Sequence, residues 1–345
     1  MSTEPPARAG GSPSFPQDPR LSRMTLLTPA ETPPSTIAAT PPAPRSARGF
    51  LGWLMAPGRR GPLLIAPAIA TLVVVNIFPL LWSYGLSFFN YNAKYINRPP
   101  RWVGLGNYID MFSDPEVWGR FVNTAVIVLG SVALQLVVGF LLALLFAREF
   151  PLRRYLLMLV LAPMMLSLSA VGVFFKLFYE PTFGFIPRIV QTFTGQPFVI
   201  LDTPAKAMAA IIVADAWMWS PFVMLLVLAG LVSVPKYLYE AAEIDRASAW
   251  RRFRTITFPY IRSLLLLALL FRTIETFKIF DVPYVLTEGG PGTSTETVSV
   301  YLFRLAFNYF QTGRASALGY IVLFGVIVLT SLYLYAIQTR RSEAG

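Results

Sequence analysis

Long charge-free apolar runs alternate with short polar breaks along most of this chain. Leu63–Phe89, Phe121–Ala147, Tyr155–Phe175 and Ala315–Thr339 contain no acidic or basic side chain, and Ala207–Ser233 contains only Asp215. Each run is long enough to cross a hydrocarbon core, which takes about 20 helical residues. Pro67 and Pro79 predict kinks in the first run. The stretch after Ser263 is less clear-cut, because Arg272, Glu275, Lys278 and Asp281 interrupt it.

Charge placement resolves that stretch. Arg148, Arg153 and Arg154 lie in one short connection; Lys236, Arg246, Arg251, Arg252, Arg254 and Arg262 lie in another. Arg340 and Arg341 close the chain, and Arg45, Arg48, Arg59 and Arg60 precede the first run. The alternate connections are less basic for their length. Basic residues collect on the cytoplasmic side of a bilayer. Two crossings must therefore separate 236–262 from the C-terminus, so 263–285 is predicted to span. The expected fold is all-α: six transmembrane helices over 60–340, with both termini cytoplasmic and a cytoplasmic loop at 236–262.

Composition agrees: 55% of the 345 residues are hydrophobic and 14% charged, too few charges to coat a soluble globule of this size. The net charge of +11 sits at the ends of apolar runs, which argues for membrane lipid and against nucleic acid as a partner. With no Cys and no His, thiolate metal sites and imidazole acid–base chemistry are excluded. Residues 1–48 are rich in Pro, Ser, Thr and Ala and are expected to be a disordered tail.

The loop "YEAAEIDRASAWRRFRTITFPYIRS" stands out. Ser233 and Pro235 suit a helix start, Glu240 and Glu243 would then lie early in the helix, and Ala241 and Ala242 keep one patch small. A second helical piece is expected over Ala249–Ile256, ended by Pro259. Two readings fit: an amphipathic helix on anionic lipid, or a docking handle for another protein. Over 236–262 six positive charges mixed with three negative ones make a poor lipid-binding face.

"EAAEIDRASAWRRFRTITFP" resembles the EAA loop of permease subunits in binding-protein-dependent ABC importers. Glu240, Ala241, Ala242, Asp245, Ala247, Phe253 and Pro259 match that pattern, and Arg246 stands where glycine is usual. Val103–Thr124 is similar to the same family's segment leading into the second helix, and the segment around the fourth helix and Phe280–Phe307 are similar to its carbohydrate branch. The resemblance implies a type I ABC importer permease fold in a bacterial inner membrane. It also implies alternating access, a second permease subunit, two ATP-binding cassette subunits and a periplasmic or extracellular sugar-binding protein. ATP and Mg would be held by the partner ATPase and no cofactor by this chain, which has no G-x-x-x-x-G-K-[ST] phosphate loop.

Two clusters are candidates for the substrate path. Asp215, Trp219 and Phe222 are spaced to share one helix face, with Trp217 pointing elsewhere. Arg272, Glu275, Lys278 and Asp281 recur every three residues with alternating sign, so successive members could pair along one helix. Either cluster could equally be an internal helix anchor. Thr287–Thr295, "TEGGPGTST", is expected to be a flexible loop on the side opposite 236–262. An ion-coupled secondary transporter is the alternative function, and it leaves the 236–262 loop without a role.

Overall fold

The structure, a computed structural model, describes residues 60–95 and 97–342. The expected tail at 1–48 lies outside the described residues. The chain divides at Pro67, and the packing described below is that of the unit beginning at Ala68.

Among the described residues five helices are long and apolar enough to cross a membrane, and a bent pair makes a sixth if it is counted as one span. The first is built from α1 (Arg60–Leu72), a π turn at Val73–Ile77 and α2 (Phe78–Ser87). A two-residue hairpin follows, with Phe89 opposite Trp102 and Asn90 opposite Arg101. Then come α3 (Gly106–Ser113) and the long α4 (Pro115–Phe146), which Asp114 caps by accepting from the Glu116 N–H.

The third span departs from expectation. Tyr155–Phe175 is not one straight helix: α5 (Arg153–Leu161) tightens into a 3-10 turn at Ala162–Met165. The chain then turns by 103° into α6 (Leu168–Phe178). Pro163 removes a backbone donor, Leu166 is extended, and the Ser167 hydroxyl caps the new helix at the Ala170 N–H, 3.2 Å away. After α7 (Phe185–Thr194), α8 (Pro204–Val232) forms the centre of the bundle.

The 236–262 region comprises α9 (Lys236–Ile244) and α10 (Ala249–Arg252). Ser233 does not cap α9; it ends α8 and donates its hydroxyl back to the Gly230 carbonyl at 2.8 Å. With α9 starting at Lys236, no acid lies in its first turn, so Glu240 and Glu243 sit further along than the sequence suggested. Nor does Pro259 end a short helix. A π turn at Phe253–Thr257 carries α10 straight into α11 (Phe258–Phe277), giving a continuous span Ala249–Phe277. The Phe258 N–H bonds to the Phe253 carbonyl, a wider ring that accommodates the proline's missing donor. The same device precedes Pro79, where the Phe78 N–H bonds to the Val73 carbonyl.

The fifth span thus lies earlier than 263–285 and stops at Phe277. A separate helix, α12 (Asp281–Thr287), begins after Phe280, followed by α13 (Val298–Phe303), a π turn at Arg304–Asn308 and α14 (Thr312–Ser342).

Helices α4 and α8 run parallel: Gly130 meets Ile212, Gln135 meets Asp215, and Gly139 meets Ser220. A Cβ at Gly139 would lie 2.6 Å from the Ser220 carbonyl oxygen, so glycine sets this crossing distance. Helix α11 runs antiparallel to α8, with Gly230 against Ile261 and Arg272 against Asp215. One apolar cluster around Phe146, Val227 and Ile261 closes the bundle at the 236–262 end. A second, around Met111, Val298 and Leu318, joins α3 and α4 to α13 and α14, toward the opposite end.

Candidate functional site

Inside the bundle α4, α8 and α11 each present one polar group at the same level. Gln135 donates its amide to Asp215 Oδ2 at 2.7 Å, and Arg272 Nε donates to Gln135 Oε1 at 2.8 Å. Arg272 Nη2 reaches Asp215 Oδ1 at 3.5 Å and Thr276 Oγ1 at 3.0 Å. Asp215 and Arg272 are 2% and 3% exposed, so a charge on either without the other would be costly. The guanidinium also lies 4.4 Å from the Trp219 ring centroid, fixing that half-buried indole.

This corrects the reading of the charges as one ladder. Helix α11 ends at Phe277, so Asp281 belongs to α12. Arg272 turns inward to Asp215, leaving Glu275 to pair with Lys278 at 3.2 Å. Asp281 accepts from the Ser169 hydroxyl of α6 at 2.7 Å. The i, i+3 spacing suggested local pairing, and Glu275 with Lys278 follows it, whereas Arg272 and Asp281 find their partners on other helices.

Phe271, Glu275 and Lys278 lie on the accessible side of α11. Phe222 meets Phe271 edge to face at 6.5 Å, so the aromatic rim extends across two helices. Trp217 faces away as expected and stacks on Phe174 at 5.7 Å.

A second buried network was missed by sequence reasoning. Glu296 is 1% exposed and is held by Arg120 at 2.7 Å and Arg304 at 2.8 Å. Arg120 also contacts Glu116 at 3.2 Å and lies 4.1 Å from the Tyr301 ring centroid. Burial pushes the Tyr301 phenol pKa up. Arg304 donates to the Glu288 carbonyl at 2.5 Å, and Asn123 donates to the Thr293 carbonyl at 2.9 Å. The glycine-rich segment Thr287–Thr295 is therefore tied down from α4 and from the π turn after α13. The Thr295 side chain is itself buried and bonded to the Gly290 carbonyl. The one signal available was Glu296 itself, a lone acid directly before an apolar helix.

At the other end, α9 closes with a Schellman motif. The Ala247 N–H bonds to the Ala242 carbonyl at 2.9 Å and the Arg246 N–H to the Glu243 carbonyl at 3.0 Å. Arg246 has φ 51°, the left-handed conformation that the usual glycine would supply without strain. The motif turns the chain toward Ser248, whose hydroxyl caps α10 at the Arg251 N–H. Two contacts brace the two arms: Tyr239 OH to Thr257 Oγ1 at 2.8 Å, and Arg252 to Glu243 at 2.9 Å. Glu240, Ala241, Asp245 and Arg246 are exposed and Ala242 and Ala247 half-buried, with Tyr237, Ile244 and Trp250 exposed around them.

Paired charges enclosed within a bundle of long apolar helices mark a polytopic membrane protein. Comparison with known proteins specifies which. Residues 135–343 match the family described as the inner membrane component of binding-protein-dependent transport systems. The chain is 35% identical to the sulfoquinovosyl glycerol transport permease SmoG of Agrobacterium fabrum, over 81% of this chain and 90% of that one. It is 35% identical to the trehalose/maltose transport permease MalF of Thermococcus litoralis, over 81% and 94%. A crystal structure of a bacterial ABC transporter that imports the acidic polysaccharide alginate shares the fold. The TM-score is 0.69 at 22% identity, covering 82% of this chain and 96% of that one.

The chain belongs to the family of inner membrane components of binding-protein-dependent transport systems. It is a membrane-spanning transport permease; ATP hydrolysis in such importers is carried by separate subunits.

Proposed function

We propose that this chain is one half of the pore of an ATP-driven importer for a sugar or sugar-like solute. The observation that carries the coupling role is the exposed, braced helix–turn–helix at Lys236–Arg252. Glu240, Ala241, Ala242, Asp245, Arg246 and Ala247 form its tip, which docks on an ATP-binding cassette subunit. The basic residues of this region support a cytoplasmic position at the inner membrane, shared with both termini. Two cassette subunits hold ATP and Mg, a second permease completes the pore, and a periplasmic or extracellular binding protein delivers solute. Relatives named for trehalose, maltose and sulfoquinovosyl glycerol transport support the solute class.

Affinity purification of this chain from gently solubilised native membranes tests the assembly. A second permease and a P-loop ATPase should copurify. Glu240→Ala combined with Asp245→Ala should lose the ATPase and keep the second permease. A chain recovered alone that still transports after reconstitution would sink the proposal in favour of a secondary carrier.

The substrate path runs along Trp219, Phe222, Glu275 and Lys278. Buried Asp215 and Arg272 hold the wall behind Trp219, and Asp281 anchors α12 to α6 through Ser169. Trp219→Ala and Glu275→Gln should each raise the uptake KM several-fold. Unchanged KM in both variants would remove these residues from the path.

A further inference from the structure

We propose that α7 is a lipid anchor. It lies along the bilayer surface on the side opposite the 236–262 loop, with Phe185, Ile189 and Phe193 set among the ends of the acyl chains. Its ten residues extend about 15 Å, too short to cross a bilayer. All the same, these three side chains are exposed, Phe193 by 86%.

The helix has three distinct sides. Ile186 and Val190 face the bundle with Pro187 buried beside them, and Ile186 packs on the apolar cluster that holds Phe175 and Ile211. Phe185, Ile189 and Phe193 recur every four residues along one flank, where Phe185 turns its ring onto Phe178. Gln191 occupies the other flank, and Arg188 and Thr192 stand on the side away from the bundle; all three are exposed. A wall side, an apolar flank and a polar flank suit a helix placed where protein, lipid and water meet. A face shaped for another subunit would put its apolar residues opposite the wall, where Arg188 and Thr192 stand instead.

Two features set the depth of α7. Its apolar flank continues a series of rings that begins within the membrane. Trp217 stacks on Phe174 at 5.7 Å, Phe174 on Phe178 at 5.1 Å, and Phe178 meets Phe185 at 5.1 Å. Trp217 lies near the middle of the α8 span and is exposed, so this surface starts inside the hydrocarbon layer. Trp118, in the first turn of α4, is half exposed at the same end of the bundle, since α4 and α8 run parallel. Exposed indoles mark the headgroup level. An anchored α7 gives α6, the second limb of the broken third span, a fixed end.

The test uses the assembled importer in vesicles of phosphatidylethanolamine and phosphatidylglycerol. This chain has no cysteine, so nitroxides are placed one at a time through Ile189→Cys, Phe193→Cys, Arg188→Cys and Gln191→Cys. The signal of the unsubstituted importer, treated alike, is subtracted. Collision with molecular oxygen reports lipid, and collision with a water-soluble nickel chelate reports water. The expected result is an oxygen-to-nickel collision ratio several-fold higher at 189 and 193 than at 188 and 191. Nickel access at 189 and 193 equal to that at 188 and 191 would overturn the proposal and leave α7 in water. Exclusion of both reagents from 189 and 193 would overturn it as well, showing the row covered by another subunit.

Discussion

Asp215 and Arg272 illustrate how little a buried charge can be judged from its own helix. Removing one partner leaves the other enclosed and unpaired, which costs about 3–5 kcal/mol, whereas replacing both with apolar groups is often close to neutral. Asp215→Ala should therefore lower the thermal unfolding temperature of the solubilised protein much more than Asp215→Ala combined with Arg272→Met. Equal destabilisation in the single and double variants would show that the pair is not what holds α8 to α11. The charges themselves were plain in the sequence. Their pairing was not, because i, i+3 spacing favours local partners and the true partners lie 57 and 80 residues apart. Arg246 was the opposite case. A missing glycine in a familiar pattern marked the position, and the φ of 51° is the left-handed conformation a glycine would take freely, held here by Arg246 at a cost of roughly 1–2 kcal/mol.

Among the helices, apolar runs located the spans well and their ends poorly. Hydropathy cannot see that Pro163 breaks the third span while Pro259 is absorbed by a π turn, since both depend on whether neighbouring backbone groups find other partners. The end of α11 at Phe277 was hidden for a related reason. Asp281 and Pro283 are good first-turn residues for a new helix, but they sit inside what reads as the tail of an old one. The brace between α9 and the π turn makes a prediction at this scale. Thr257 is buried, and its hydroxyl is matched to Tyr239 at 2.8 Å, so the loop and the fifth span are joined by one specific contact. A hydrogen bond of this kind contributes about 1 kcal/mol, roughly a fivefold effect on an equilibrium. Tyr239→Phe should lower solute transported per ATP hydrolysed by about that factor while the ATPase still copurifies. An unchanged ratio would mean that motion reaches the span by another route.

For the whole molecule, the sequence pattern conveyed the number of crossings and the family, and the structure supplied the internal joints. Two buried polar networks join helices of this bundle. One joins α4, α8 and α11 through Gln135, Asp215 and Arg272; the other joins α4 to the segment before α13 through Arg120 and Glu296. Helix α4 contributes to both, and Gly139 lets it approach α8 closely. A rigid central pair, flanked by a broken third span and by helices interrupted at π turns, suits a protein that must reshape a passage without losing its core.

The three-helix polar joint has a consequence for how the protein is made. Ribosomes deliver spans in order, so α8 reaches the bilayer carrying Asp215 before Arg272 has been synthesised. A lone carboxylate at depth disfavours insertion by about 2.5–3.5 kcal/mol, and Gln135 on α4 is the one member of the joint already present to offset it. Retention of the fourth span is thus provisional during translation and is secured when the fifth arrives. A nascent chain stopped at Arg262 should leave a measurable fraction of α8 outside the bilayer, read by glycosylation of an acceptor site placed in the 236–262 loop. Asp215→Asn should bring that fraction down. Complete insertion of the stopped chain would show that the translocon tolerates the carboxylate unaided.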